Sequence, residues 1–177
     1  MSALARWANF YVIVGSSAGA LTGLQFVVIA LVAEARIVGS MRTIRAFATP
    51  TVVDFCVALL ISAVMSAPWR SINDPAVCLG LCGALGFTYS LNVVGHARKQ
   101  TSYTPDNEDW TWYAVVPVIA YALLLGAAIL MVFRPASSLL LIAATSLLFL
   151  FLGIRNAWDT VTYVALQHQA SKAGDDQ

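Results

Sequence analysis

Charge is what this sequence has least of. Only 11% of its 177 residues are Asp, Glu, Lys or Arg, where a soluble domain of this size carries about 25%. That scarcity excludes an ordinary water-soluble domain, and a formal net charge of +1 leaves no basic excess with which to hold nucleic acid. Histidine is scarcer still: there are two, and neither belongs to an HxxxH or CxxCH spacing, so no haem or metal motif is built from them. Three cysteines supply neither a disulfide framework nor the usual four-ligand zinc set. Strict polar–apolar alternation is missing too, which excludes a membrane β-barrel. No internal repeat or soluble domain can be traced, and no cofactor or metal is expected.

What is present is apolar. Hydrophobic residues make up 59% of the chain, the mean hydropathy is +0.76, and five runs, at about 10–33, 47–67, 76–94, 113–133 and 138–163, have the roughly 20-residue length that crosses a 30 Å hydrocarbon core. Each is expected to be an α-helix, because lipid offers no partner to a backbone N–H or C=O and a span must satisfy them internally. The expected fold is therefore an all-α integral membrane protein, one bundle of about five transmembrane helices. Pro68, Asn73-Asp74-Pro75, Thr104-Pro105 and Arg134-Pro135 mark the breaks, where proline's fixed φ and missing donor favour a boundary. The first run follows Arg6 and precedes the small-x-small sequence Ala33-Glu34-Ala35, as in a signal peptide. It is too long for an h-region of about 7–15 residues and is expected to be retained as a helix.

Basic residues near span ends stay preferentially on the cytoplasmic side. Arg36, Arg42, Arg45, Arg98, Lys99 and Lys172 fall on one side, and Arg6, Arg70 and Arg134 on the other. The asymmetry places the N-terminus outside and the C-terminus in the cytoplasm. Trp110, Trp112, Tyr113 and Trp158 then mark the inner interface, and Trp7 and Trp69 the outer. The segment TPDNEDW reads as a helix start: Thr104 caps, Pro105 suits the first turn, and Asp106, Glu108 and Asp109 complement the helix dipole.

Two stripes of small residues suggest close helix packing. Gly15, Gly19 and Gly23 recur every four residues, as do Cys78, Cys82, Gly86 and Ser90; small side chains at this spacing let a second backbone approach, within a subunit or between subunits. Gln25 lies just beyond the first stripe and is expected either to hydrogen-bond across an interface or to line a polar path. Pro50 and Pro117, inside or at the start of spans, permit a kink.

Intramembrane charge is the sharpest feature. Asp54 stands inside the second span, where an unpaired carboxylate costs about 3 kcal/mol on insertion scales. Arg155, expected inside the fifth span at a similar depth, is its natural partner, and Asp159, one turn further on, shares the Arg155 face. Two readings are open. Asp54, Arg155 and Asp159 form a clamp between the second and fifth helices, with Asn156 and Thr49 satisfying leftover groups; or the same residues border a water-filled path and act on a passing ion by direct charge interaction. An enzyme would need His96, Asp106, Glu108, Asp109 and His168 as its acid–base set, yet no nucleophile–base spacing joins them.

The segments NFYVIVGSSAGALTGLQFVVIAL, ATPTVVDF and GIRNAWDTVTY together resemble a group of small bacterial polytopic membrane proteins. The resemblance implies a bacterial inner-membrane location and carries over no functional residue. The expectation is a homo-oligomeric ion channel or similar permeation pathway, with an inorganic ion as ligand and the lipid bilayer as surroundings, or alternatively a membrane scaffold whose charges are structural.

Overall fold

The computed structural model describes residues 4–34, 40–97 and 111–175. These form five α-helices and no strand: α1 (Ala8–Glu34), α2 (Ser40–Ser66), α3 (Asn73–Ala97), α4 (Val116–Phe133) and α5 (Pro135–Asp175). A 3-10 turn, Leu4–Trp7, precedes α1, and a π-helical turn, Thr111–Val115, leads into α4. Each helix contains a stretch long and apolar enough to cross a membrane, so the chain has the architecture of a multi-pass membrane protein. The last helix outruns its expected end near residue 163 and continues to Asp175. The acidic segment at 104–109 lies outside the described residues, as do the side chains of His96 and His168.

Helix boundaries follow local chemistry. Between α2 and α3 the Ser71 hydroxyl accepts from the Asn73 N–H at 3.2 Å, while the Asp74 carboxylate accepts from the Ser71 N–H at 3.4 Å, a reciprocal arrangement that satisfies free donors at the start of α3. Between α4 and α5 a single residue, Arg134, makes the turn: its N–H donates to the Leu130 carbonyl at 2.7 Å and its own carbonyl accepts from Ser138 N–H at 3.1 Å. Pro135 opens α5, where its missing donor costs nothing.

The helices pack in the order α1 against α2, α2 against α5, α5 against α4 and α4 against α3, while α2 and α3 scarcely touch. Of the α5 span, 56% is buried, against 22% for α1 and 17% for α3; α5 is therefore the central helix and α1 and α3 the edges. The apolar side chains left outside, such as Val77, Leu81 and Leu85 on α3, are what hydrocarbon would cover.

Close approach between neighbours relies on particular glycines. A Cβ on Gly83 would lie 2.8 Å from the Leu125 backbone nitrogen, one on Gly15 would lie 2.9 Å from Ser62 Cβ, and one on Gly153 would lie 2.5 Å from the Phe55 ring. Gly86 makes room for Tyr121 in the same way. Of the two expected stripes, the second needs correction. Within one chain only Gly15 of the first stripe is gripped: among the described residues a Cβ on Gly19 or Gly23 would meet nothing within 4 Å, which leaves those two to a contact between copies. On α3 the buried stripe runs Ala76, Leu79, Gly83 and Ser90, with Gly86 beneath Tyr121, while Cys78 is exposed and Cys82 half-buried. Steps of four residues advance 400° and drift around a helix, whereas alternating steps of four and three hold one seam.

Candidate functional site

Four polar side chains, Asp54 on α2, Ser90 on α3, Tyr121 on α4 and Asn156 on α5, border a common cavity. All four are buried. Asp54 falls on the inward face of α2 because that face repeats every three to four residues through Thr51, Asp54, Ala58, Ile61 and Met65; Asn156 does so on α5, in step with Phe149, Leu152 and Thr160.

The contact that joins two of them is between α2 and α5. Asn156 Nδ2 donates to Asp54 Oδ2 at 3.0 Å. Only this orientation of the amide is favourable, since its oxygen turned toward the carboxylate would set two acceptors against each other. Asn156 Oδ1 therefore points away, and it is buried with no hydrogen-bond partner among the described residues. Among the described residues Asp54 has no basic partner.

Arg155 is elsewhere. Its guanidinium lies over the Trp112 ring, 4.5 Å from the centroid, and its Nε is 3.9 Å from Asp159 Oδ2, with both of these charged side chains about one-third exposed. The stacking holds the π-helical turn to α5. The expected Asp54–Arg155–Asp159 network is thus corrected to two separate arrangements: the Arg155–Asp159 pair on the α5 surface toward Trp112, and the Asp54–Asn156 pair inside. Successive helical residues are 100° apart, so Asn156 faces α2 where Arg155 cannot.

Beside the inner pair is a cavity of about 270 Å³ in the gap between α2 and α3. Thr49, Pro50, Val53 and Asp54 border it from α2, Tyr89, Ser90 and Val93 from α3, and Ala114, Pro117, Tyr121 and Asn156 complete the lining. Thr49, Val53, Tyr89 and Val93 are exposed and make its rim. Irregular backbone borders it: Pro50 lies inside α2, and the π-helical turn ends next to Pro117. Such interruptions are tolerated at membrane depth where they border a cavity or protein. Tyr121 is fixed by Phe149, ring centroids 4.8 Å apart.

Gln25 is not part of this site. It is 3% exposed, its Nε2 has no hydrogen-bond partner among the described residues, and it borders a separate apolar groove of about 260 Å³ between α1, α2 and α5, together with Leu24, Phe55 and Trp158. The three cysteines are free thiols, and among the described residues no three His, Cys, Asp or Glu side chains gather as a metal site would require. Tyr89, Tyr121 and the lining role of the two prolines were not singled out from sequence. No known protein family, curated protein or solved structure matches the chain.

Proposed function

We propose that the protein is a permeation pathway for cations in a bacterial inner membrane, built from several copies, with Asp54 as the charge that attracts the ion. One observation carries the reading: a carboxylate 5% exposed inside an apolar span, bordering a cavity and bonded to a neutral amide rather than to a base. A negative charge at that depth is costly unless a cation or water compensates it, and a carboxylate beside a cavity favours cations. The excess of Arg and Lys at the cavity end of the chain supports a cytoplasmic mouth and an outside N-terminus. The unpaired Gln25 amide supports a contact between copies, since a buried donor is costly without a partner.

The test is flux into liposomes for monovalent cations from potassium through ammonium to butylammonium. Wild-type protein is expected to pass at least one of them, and Asp54→Asn to cut that flux at least tenfold while eluting as the same oligomer. Absence of flux for the whole series would sink the reading.

The Asp54–Asn156 hydrogen bond itself favours a second reading, a membrane scaffold in which this pair ties α2 to α5. On that reading wild-type liposomes are tight, and Asp54→Ala lowers the unfolding midpoint without changing any permeability.

A further inference from the structure

We infer that the cavity between α2 and α3 takes a small primary ammonium with an apolar body, in preference to a bare inorganic cation. The inference rests on the cation reading of Asp54 and names the class of ion. It follows from which acceptors are available and how much room surrounds them.

A primary ammonium has three N–H donors and needs three acceptors. Bordering the cavity are Asp54, one of whose carboxylate oxygens is held by Asn156, and the hydroxyl side chains Thr49 and Ser90. These come from α2 and α3. Hard divalent cations are usually held by several carboxylates and carbonyls, and potassium filters use rings of carbonyls; this lining has a single carboxylate, Asp54. Beyond the acceptors the wall is apolar or aromatic, with Pro50, Val53, Val93, Pro117 and the two tyrosines. Such a surface gives an alkali ion at most a contact with the tyrosine rings but removes methylenes from water at about 0.8 kcal/mol each. Size agrees: a cavity of 150 Å³ holds benzene, so about 270 Å³ suits an amine with a body of four to eight carbons. The exposed rim residues Val53, Tyr89 and Val93 open the cavity between two helices, a route suited to an amphiphile whose charged head leads toward Asp54.

Binding of tritiated butylammonium to the full-length chain in detergent, with 1-butanol and potassium as competitors, tests this. Saturable binding is expected, with both competitors at least tenfold weaker than unlabelled butylammonium. Asp54→Asn is expected to lose binding at least tenfold. Val53→Trp, which fills the cavity from its rim and leaves the acceptors intact, does the same, so the result does not hang on how one variant folds. Potassium competing as well as butylammonium overturns the organic-amine assignment and leaves the cation reading standing; butanol competing equally shows an apolar cavity only and overturns it too. Undiminished binding to Val53→Trp puts the site elsewhere. No binding by the wild type, together with no flux for any of the cation series, removes the inference and the cation reading alike.

Discussion

At the scale of single residues, Asn156 decides how Asp54 survives inside the bundle. Its amide supplies the one hydrogen bond that Asp54 Oδ2 accepts, at 3.0 Å, and a bond to a charged acceptor contributes about 1.5–3 kcal/mol. Asn156→Leu keeps the volume and removes the donor; it is expected to destabilise the protein by about that amount, read as a drop in the unfolding midpoint in nanodiscs. Gln25 allows a sharper discrimination. As an orphan within one subunit, its Nε2 gains nothing from being polar, and Gln25→Leu leaves stability unchanged or raises it by about 1 kcal/mol. If it bonds to a second copy, the same change shifts the oligomer toward monomer on sizing chromatography with multi-angle scattering. The second outcome is the one the multi-copy reading expects.

At the scale of helices, glycines separate packed from open surfaces. Gly83→Ala forces a Cβ to 2.8 Å from the α4 backbone, which no side-chain rotation relieves, and a cost of about 1–3 kcal/mol is expected from such overpacking. Gly19→Ala meets nothing and should gain up to about 1 kcal/mol from helix propensity; a loss on reconstitution would mean that a second copy packs there. Paired thermal melts of the two variants check both. The same helices show what the sequence could and could not tell. Five spans were legible because hydropathy and length fix a membrane helix without reference to its neighbours. The Arg155–Asp159 pairing was legible because i and i+4 face the same way on any helix. Which face of α5 turns toward α2 was not, because that rotation is set by packing, such as Phe55 lying on Gly153. Depth along a span can be counted from a sequence, but azimuth cannot, and the partner of Asp54 depends on azimuth. The Cys78–Cys82 stripe was misjudged for a related reason: a four-residue step and a seam of alternating four and three coincide at Gly86 and Ser90 and diverge toward the other end.

At the scale of the whole molecule, the packing order of the helices leaves α2 and α3 joined in sequence but apart in space at the Asp54 level. Their connection is short, at 67–72, with Trp69 Nε1 donating to the Val64 carbonyl at 2.5 Å, so the pair is tied at that end and splayed about 18 Å away along α2, twelve residues at 1.5 Å each. A hairpin held at one end and open at the other is a natural place for an aperture, with the central α5 as its fixed wall. Bridging the aperture therefore ought to matter more than altering either helix alone. In a background with Cys56, Cys78 and Cys82 replaced by Ser, all three being free thiols, Val53→Cys and Val93→Cys place two thiols on opposite rims of the cavity. A short bifunctional maleimide is expected to join them and reduce cation flux at least fivefold further than a monofunctional maleimide of similar size does on Val93→Cys alone. Equal inhibition by the two reagents would mean that bulk at the rim is what blocks, and that the α2–α3 gap need not open for an ion to pass.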